Sequence, residues 1–549
     1  MALSKETIDK LIGKDVKDIS YWEEKYPLRP NNQVTTRVAP SPTGFQHIGA
    51  IFQAVMNRKF AHQNNGVFFL RIEDTDTKRE VSGATDLIIS SFEDFDISPD
   101  EGPLDEKGNE KGAYAPYFQS KRADLYKSGI KYFLENDLAY PCFCTEDDIE
   151  NIRKEQTILK VRPGYYGKWA RCRRLSEEQI EKKLEESCPF IIRFKANGNW
   201  DNKKYFEDLA RGKVLMPEND LDIVIMKKDG LPTYHFAHLM DDHFMRTTHV
   251  IRADEWLASL PLHIQLFEAI GWTPPHYVHT APIQKLDEGN RRKLSKRKDP
   301  EAGVTYYFEQ GYPIEAVKEY IMNLANSNFE DFKKANPENA LDNFEFKIEN
   351  LNNSGALLDF KKLENISKEF IATLSSDKLF ARLYAWAETY DQGLKSKMDE
   401  NKDYIKSILA IERDGCEKVR KDFYIFSKMW DEISYFFDDA FTLTKEKAVE
   451  TIGLKEEDIK AFLSAYLPTY NHEHSKDDWF ANLKEIALSQ GYAKNAKEKD
   501  KEPGKYKGTI SDAAKILRVS LTGRTESPDM YAIMQILGKD KTLKRLSLV

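Results

Sequence analysis

The N-terminal part of the chain combines a strand pattern with a helical pattern of hydrophobic positions. Residues 33–40 (QVTTRVAP) are rich in β-branched side chains and predict a strand, and residues 67–73 (VFFLRIE) predict a second, buried strand. Between them, apolar residues recur at helical spacing over 48–60, until an Asn-Asn-Gly sequence ends the helix. This order predicts a β-α-β unit with parallel strands and a right-handed crossover.

A second α/β pattern follows later in the chain. Residues 221–227 predict a strand, residues 248–256 predict a strand that runs into a helix, and residues 277–283 predict another strand. The stretch between the two α/β patterns has a different character and holds three of the five cysteines and several aromatic residues. We therefore predict an insertion between the two halves of one nucleotide-binding sheet.

After residue 305 the apolar positions fall at helical spacings almost to the C-terminus. A chain of 549 residues is too long for one hydrophobic core, so we expect several domains. The patterns divide the chain into an N-terminal extension (1–32), an α/β domain in two halves (33–115 and 221–305), an inserted domain (116–220) and two helical domains (306–385 and 386–549).

Composition narrows the class of protein. Hydrophobic residues make up 41% and charged residues 31%, as in a soluble globular protein, and there is no apolar run long enough to span a membrane. The N-terminus lacks a secretory apolar stretch, so we expect a cytoplasmic protein without a membrane partner. The formal net charge of -8 argues against one broad nucleic-acid surface but allows local basic stripes, which occur at 171–174, 291–298 and 494–507.

The segment RVAPSPTGFQHIGA, residues 37–50, lies between a predicted strand and a predicted helix. The free N–H groups and positive dipole of a helix N-terminus attract phosphate, and Gly49 lets a nucleotide approach the backbone closely. His47 is placed to donate hydrogen bonds to a phosphate oxygen. The alternative is a Pro/Gly turn with a core histidine, and the whole segment in its strand-loop-helix context favours nucleotide binding.

The basic loop RRKLSKRKD, residues 291–299, is the second segment whose residues could take part in catalysis. Lys293, Lys296 and Arg297 can close over the β- and γ-phosphates of ATP and neutralise charge as pyrophosphate leaves, and Ser295 adds a hydroxyl. Alone, such a loop is usually a solvated surface or a nucleic-acid patch. Paired with the first segment, it favours catalysis on ATP.

Together these segments resemble the HIGH-like and KMSKS-like signatures of class I aminoacyl-tRNA synthetases. RVAPSPTG, LRIEDTD at 70–76, GLPTYHFAHLMDDH at 230–243 and THVIRADEW at 248–256 are similar to bacterial-type glutamyl-tRNA synthetases. The resemblance covers the chain from about residue 20 onward and is looser near the C-terminus. It implies a Rossmann-like class I catalytic domain with an inserted α+β acceptor-binding domain, followed by a mostly α-helical half that contacts the tRNA stem and anticodon.

The resemblance also implies roles for individual residues. His47, Lys293 and Lys296 are the predicted catalytic residues. The predicted ATP site comprises Pro40, Thr43, Gly44, His47, Gly49, Glu255, Trp256, Leu294, Ser295, Lys296 and Arg297. The predicted glutamate site comprises Arg37, Ser41, Glu73, Tyr234, His238 and Arg252.

Two positions in these motifs depart from the commonest bacterial pattern. His238 stands where many relatives have Asn, and Asp254 replaces a common Glu. An imidazole can still hydrogen-bond a carboxylate, although its charge depends on pH. Arg37 and Arg252 can supply bidentate forks for a side-chain carboxylate, which favours glutamate over the neutral amide of glutamine.

The implied reaction has two steps. The α-carboxylate of glutamate attacks the α-phosphorus of ATP, which travels with Mg²⁺, and the terminal ribose of tRNA(Glu) then takes the glutamyl group from the adenylate. We expect a monomer with no DNA partner. The inserted domain has a cluster of aromatic and basic residues, which comprises Tyr165, Tyr166, Lys168, Trp169 and Arg171. We predict that this cluster contacts the acceptor end of the RNA. The alternative is a mixture of core and surface residues without an RNA contact.

Cys142, Cys144 and Cys172 resemble the zinc site that some relatives carry in the inserted domain. Those relatives have a fourth ligand two residues after the third cysteine, where this chain has Arg174, which cannot ligate. Cys188 or Tyr166 would complete the site without the family spacing. The sequence therefore favours three reduced thiols packed in the domain over bound zinc.

Three other functions compete with this one. A glutamate-activating relative that modifies a tRNA base would look like the catalytic half alone, and the long helical half argues against it. A glutaminyl-tRNA synthetase is disfavoured by PTYHFAH together with Arg252. A catalytically silent RNA-binding protein would not need His47, Lys296 and Arg252. No P-loop string GxxxxGK[ST] occurs, which disfavours a P-loop kinase or GTPase.

Overall fold

The computed structural model describes residues 3–44, 46–76, 81–295, 297–502 and 504–549. The chain divides into two compact units. Unit 1 comprises Met1–Tyr306 and Lys318–Asp359, and unit 2 comprises Tyr307–Val317 and Phe360–Val549. The predicted division into five domains is finer than this, and it stays a prediction.

Unit 1 contains every strand that the structure describes. They are β1 (Thr35–Val38), β2 (Val67–Leu70), β3 (Gly102–Pro103), β4 (Glu110–Lys111), β5 (Ala139–Cys142), β6 (Ile191–Phe194), β7 (Lys203–Asp208), β8 (Gly212–Pro217), β9 (Val224–Met226), β10 (His249–Ala253), β11 (His276–Thr280), β12 (Ile283–Asp287), β13 (Asn290–Lys293) and β14 (Ala356–Leu357).

The helices follow the chain from end to end. Before residue 360 they are α1 (Lys5–Ile12), α2 (Ile19–Lys25), α3 (Ile48–Gln63), α4 (Ala84–Asp94), α5 (Ala123–Glu135), α6 (Glu146–Ile158), α7 (Glu177–Glu185), α8 (Tyr234–Phe244), α9 (Leu260–Ile270), α10 (Val304–Gln310), α11 (Ile314–Ala325), α12 (Asn328–Ala335) and α13 (Ala340–Asn343), with α10 and α11 divided between the two units. Unit 2 continues with α14 (Phe360–Ala372), α15 (Ser376–Tyr390), α16 (Gln392–Glu400), α17 (Lys402–Ala410), α18 (Met429–Ile433), α19 (Lys445–Ile452), α20 (Glu456–Tyr466), α21 (Lys476–Ser489), α22 (Ala496–Lys501), α23 (Ile510–Thr522), α24 (Met530–Leu537) and α25 (Lys539–Leu546).

Two pairs of parallel strands form the floor of the α/β domain. β1 pairs with β2, and β10 pairs with β11, both in parallel register. The two pairs lie side by side, because the Thr248 N–H donates to the Thr35 carbonyl at 3.0 Å just before β10. Helix α3 connects β1 to β2 and buries Ile51, Ala54 and Met56 completely. The β-α-β unit predicted from the sequence is therefore present.

The inserted region carries its own antiparallel sheet, in the order β5-β6-β9. The sequence placed the strand at 221–227 with the second half of the α/β domain, but β9 pairs with β6, through Ile192 and Met226. Short strands do not reveal their partners in sequence, since a pattern fixes which face is buried and not which strand lies beside it. A separate hairpin, β7–β8, pairs in antiparallel register from Lys203 to Asp208.

Every named element of unit 2 is a helix, within the residues that the structure describes. Its core is a continuous cluster of buried side chains that runs from α14 to the last turn of the chain and includes Met398, Ile433 and Leu517. This matches the helical second half predicted from the 3.6-residue period. None of the described helices is both long and apolar enough to cross a bilayer.

Candidate active site

Both predicted phosphate-binding segments line one cavity of about 550 Å³ in unit 1. The first contributes residues before and at the start of α3, and the second contributes the end of β13. Of the predicted site residues, the cavity is lined by Arg37, Pro40, Ser41, His47, Gly49, Glu73, Tyr234, Arg252, Glu255, Trp256, Lys293 and Leu294. Two segments far apart in sequence therefore meet around a space large enough for a nucleotide and an amino acid.

Several predicted residues lie outside the wall of this cavity. Thr43 and Gly44 belong to the turn before α3, and Ser295 and Arg297 to the basic loop, and none of the four is part of the lining. Lys296 lies outside the described residues. The geometry thus supports the cavity-facing part of the predicted ATP site and leaves the contacts of these five residues as predictions.

His47 is the N-cap of α3 and its ring folds back onto the helix. Its Nδ1 accepts a hydrogen bond from the Gly49 N–H at 2.9 Å. A neutral imidazole that accepts at Nδ1 carries its proton at Nε2, so Nε2 is a donor. A Cβ added to Gly49, two residues after this histidine, would lie 2.9 Å from His47 Nδ1 and would push the ring aside. The helix terminus therefore presents an imidazole donor beside its free N–H groups, as phosphate binding requires.

A buried charge network supports one side of the cavity. Arg37 donates to both carboxylate oxygens of Asp242, each at 3.3 Å. Arg71, which is completely buried, donates to Asp242 at 2.8 Å and to Glu73 at 3.2 Å. Tyr126 and Arg122 hold the neighbouring Asp241, which lies 3.7 Å from Arg71. The network fixes Arg37, on β1, and Glu73, after β2, which are two of the six residues of the predicted glutamate site.

The network sets the charge of its acidic members. Burial raises the pKa of Glu73, and Arg71 and Arg37 oppose that rise. Burial also acts on Asp242, but Arg37, Arg71 and His238 hold the pKa of Asp242 well below its usual value. Asp242 thus neutralises charge on two arginines. Arg71 and Asp242 were not predicted as site residues, because no sequence pattern indicates that both face one buried point.

Arg252 has a different environment, made only of neutral acceptors. Its Nε donates to His279 Nε2 at 3.0 Å, and both Nη atoms lie 3.2 Å from His263 Nδ1. Nη2 also donates to the Trp256 carbonyl at 3.3 Å, and Nη1 lies 3.5 Å from the Tyr234 hydroxyl. No described carboxylate forms an ion pair with Arg252, so no anion balances the charge of this buried guanidinium at the cavity wall.

His263 and His279, which contact this arginine, are buried, and buried His238 and half-buried His235 lie next to His263. Desolvation keeps all four imidazoles neutral. It lowers the pKa of His235 to about 4 and that of His238 to about 3. Burial also lowers the pKa of His263 well below its usual value, and the charge of Arg252 adds to the effect. The pKa of His279 is lowered as well, against the opposing effect of a bond to Asp208. At neutral pH the shell is therefore uncharged.

His238 does not occupy the predicted place. It is completely buried and absent from the cavity lining, with its Nε2 2.9 Å from the Tyr277 hydroxyl and its Nδ1 2.6 Å from Asp242. The ring of Tyr234 stacks against it at 6.2 Å between ring centroids, on the cavity side. The predicted direct contact between His238 and the substrate is corrected to a supporting position behind Tyr234. The sequence motif indicated the correct helix. It could not indicate which side chains of that helix line the cavity and which lie behind the lining.

The basic loop is fastened to the protein by a buried aspartate. Asp299 accepts from both Nη atoms of Arg292, at 2.6 and 2.8 Å, and from the Ser295 N–H at 2.9 Å. Arg292 holds the pKa of Asp299 well below its usual value. Lys293 pairs with Glu255 at the cavity edge. Asp299 ends the sequence motif RRKLSKRKD, but only its burial reveals the anchoring role.

The three cysteines of the inserted region come together as the sequence pattern suggested. Their sulfur atoms lie within 4.8 Å of one another, and Cys144 Sγ is 3.7 Å from Cys172 Sγ. The Tyr165 hydroxyl lies 3.5 Å from Cys142 Sγ and 3.3 Å from Cys144 Sγ. Hydrogen bonds from the other two thiols hold the pKa of Cys142 well below its usual value. The sequence did not single out Tyr165 as a neighbour of these thiols.

The predicted RNA cluster separates into surface and core residues. Tyr165 and Trp169 are buried in a small core around the cysteines. Tyr166 is half-buried and donates to the Arg162 carbonyl at 2.6 Å, whereas Lys168 and Arg171 are exposed. Lys168 forms a surface ion pair with Glu155 at 3.0 Å, which an RNA phosphate can displace at little cost. Tyr165 and Trp169 are therefore removed from the predicted RNA surface.

The parallel strands, the helix N-terminus with its imidazole and the second, lysine-bearing segment define a nucleotide-binding enzyme of the class I synthetase type. Comparison with known protein families gives the same class. Residues 33–365 match the model described as tRNA synthetases class I (E and Q), catalytic domain, and residues 505–549 match the anticodon binding domain. The chain belongs to the class I tRNA synthetases (E and Q), and the predicted fold class is confirmed.

Similar proteins cover the whole length of the chain. It is 44% identical over 546 residues to the glutamate–tRNA ligase of Acetivibrio thermocellus, covering 99% of each protein. It is 43% identical to that of Clostridium perfringens strain 13, covering 99% of this chain and 100% of the relative. A crystal structure of a glutamate tRNA ligase from Elizabethkingia meningosepticum in complex with its amino acid is 28% identical, with a TM-score of 0.75, covering 94% of this chain and 98% of the other.

Proposed function

We propose that this protein joins glutamate to tRNA(Glu) at the expense of ATP, as a glutamate–tRNA ligase, with glutamyl-adenylate as the intermediate. The near-complete coverage by relatives of that name and the matched anticodon domain support this function for the whole chain. The structural observation that carries it is the buried, uncompensated charge of Arg252 beside a cavity that both phosphate-binding segments line.

The side-chain carboxylate of glutamate would pair with Arg252, assisted by Tyr234 and Arg37. A buried cation without an anionic partner favours a negative ligand strongly, and it leaves glutamine, whose amide is neutral, with less binding energy. Glu73 would accept a hydrogen bond from the substrate ammonium, and Ser41 lies in the same wall. Glutamine has the same shape, so charge makes the distinction.

In the activation step the substrate α-carboxylate attacks the α-phosphorus of ATP and pyrophosphate leaves. His47 Nε2–H and the N-terminus of α3 would bind phosphate oxygens, and Lys293 with the basic loop would stabilise charge on the leaving group. Mg²⁺ supplies further charge neutralisation when it arrives with the nucleotide. Catalysis then depends on positioning, because the reacting groups all belong to the substrates.

Two assays test the function. Pyrophosphate exchange should depend on glutamate and ATP, measured with and without tRNA, and charging should transfer labelled glutamate to tRNA(Glu). Exchange with glutamine in place of glutamate would favour the glutaminyl alternative. Charging of tRNA(Gln) with glutamate would show that the enzyme accepts a second tRNA. Absence of both exchange and charging with glutamate would refute the proposed function.

The cysteine cluster fits a structural zinc ion. A tetrahedron of Zn–S bonds puts sulfur atoms about 3.8 Å apart, close to the Cys144–Cys172 distance of 3.7 Å, and Tyr165 adds a fourth ligand atom. We expect about one zinc per chain by elemental analysis of protein purified without chelators. Cys172→Ser should lose the metal while Cys188→Ser keeps it, because Cys188 is outside the cluster. If the wild-type protein contains no metal, the three cysteines are reduced thiols packed in the domain, as the sequence favoured.

A further inference from the structure

Asp208 and His279 form a connected pair behind Arg252. Asp208 is the last residue of β7 and His279 lies on β11, and both side chains are completely buried. Asp208 Oδ2 accepts from the His279 backbone N–H at 3.0 Å and lies 2.6 Å from His279 Nδ1. On the other side of the ring, His279 Nε2 is 3.0 Å from Arg252 Nε. One imidazole thus links a carboxylate to the arginine.

The chemistry of the two ends fixes the state of the ring. An arginine Nε can only donate, so His279 Nε2 must accept and the ring proton must sit on Nδ1. That proton points to Asp208, and the carboxylate therefore selects both the tautomer and the orientation of the imidazole. A direct Asp–Arg pair would orient Arg252 equally well but would neutralise its charge. The imidazole between them is neutral, so Asp208 orients Arg252 through it without neutralising the charge of Arg252.

The tip of the β7–β8 hairpin holds Asp208 in place. Asp208 Oδ1 accepts from the backbone N–H groups of Ala210 and Arg211, at 3.0 and 2.9 Å. Arg211 Nε then donates to the His279 carbonyl at 3.1 Å, and Leu209 N–H donates to the Tyr277 carbonyl at 2.9 Å. The hairpin is fastened to β11 by backbone and side chain together. Movement of the aspartate relative to the imidazole is therefore restricted.

We propose that Asp208 and His279 are positioning residues for amino-acid selection, which hold the Arg252 guanidinium against the cavity wall at Tyr234 and Trp256. The proposal rests on the proposed function, since it requires Arg252 to bind the substrate carboxylate. Neither residue contacts the cavity, so both act through Arg252. The pair also makes a hairpin of the inserted region part of the machinery that selects glutamate.

Steady-state pyrophosphate exchange on the full chain tests the proposal. His279→Phe keeps a ring and removes the acceptor, and His279→Gln restores an acceptor oxygen. We expect His279→Phe to raise the KM for glutamate about 10- to 100-fold, the effect of losing a buried hydrogen bond to a charged group. The KM for ATP and the kcat at saturating glutamate should stay near wild type. Asp208→Asn should raise the same KM to a smaller extent, and His279→Gln should recover most of the loss.

The matched control is His276→Phe, at an exposed position on the same strand, which should leave every parameter unchanged. A fall in kcat with unchanged KM for glutamate would overturn the proposal, as would equal KM values for His279→Phe and His279→Gln. If His279→Phe does not fold, an unchanged KM for glutamate in Asp208→Asn would also overturn the proposal. A wild-type protein that neither exchanges pyrophosphate with glutamate nor charges tRNA(Glu) would overturn the proposed function itself, so the two failures are distinguishable.

Discussion

At the scale of single residues, the site contains two buried arginines with opposite surroundings. Arg37 is paired with the Asp242 carboxylate, whereas Arg252 is hydrogen-bonded only to neutral groups. Both arginines lie in matched sequence motifs and look equivalent there. Only the structure separates the arginine whose charge is already balanced from the one whose charge is available to a ligand.

Replacing Arg252 should therefore affect glutamate use most strongly. Arg252→Gln removes the cation and leaves the substrate carboxylate without a partner, and we expect a rise of at least about 100-fold in the KM for glutamate. Pyrophosphate exchange over a range of glutamate concentrations measures this, with the exposed Arg153→Gln as the control. An unchanged KM would remove Arg252 from the glutamate site.

Gly49 provides a second test at this scale. In Gly49→Ala the new methyl group would lie 2.9 Å from His47 Nδ1, so the imidazole must turn away from the helix terminus. We expect kcat for exchange to fall about 10- to 100-fold, since the phosphate loses a positioned donor. The KM for glutamate should change little, because His47 serves the nucleotide. Wild-type kcat in this variant would show that the imidazole position is unimportant.

At the scale of elements, the hydrophobic pattern predicted α3, β1, β2 and the strand-to-helix transition after β10. These elements are long or strongly periodic, and their local pattern decides them. The partner of β9 and the position of His238 were not predictable, because each depends on which side chains the fold brings near in space. Burial of Tyr165 and Trp169 was missed for the same reason: aromatic residues suit both a core and an RNA surface.

The basic loop should behave as a catalytic element and not as an RNA anchor. Lys296→Ala is expected to lower pyrophosphate exchange about 100-fold or more, because it removes charge that stabilises the leaving pyrophosphate. Binding of tRNA, measured by filter retention, should stay near wild type. Lys298→Ala removes the same charge from an exposed position of the same loop and serves as the control. Equal losses in the two variants would contradict a specific role for Lys296.

At the scale of the whole molecule, the shell of neutral histidines couples stability to pH. In the folded protein the pKa of His235 is about 4 and that of His238 is about 3, while an unfolded chain protonates histidine near its ordinary value. Between these values the unfolded state binds more protons, so stability falls as the pH is lowered from about 6.5 towards 4. Each histidine contributes a slope of up to about 1.4 kcal/mol per pH unit.

His238→Asn tests this coupling. It removes one buried imidazole, so the melting temperature should depend less steeply on pH between about 6.5 and 4 than in the wild type. Thermal unfolding followed by circular dichroism in matched buffers supplies the measurement. Parallel curves for wild type and His238→Asn would show that His238 is not held neutral in the folded state.

The seclusion of Arg252 from water bears on the accuracy of translation. An enzyme that tells two isosteric amino acids apart through an exposed charge would make more mistakes as the salt concentration rises, since mobile ions screen such a charge. Arg252, the cation proposed to discriminate, sits within the protein, 5% exposed, where mobile ions barely penetrate. Fidelity toward glutamate should accordingly hold constant when a cell's osmotic conditions fluctuate.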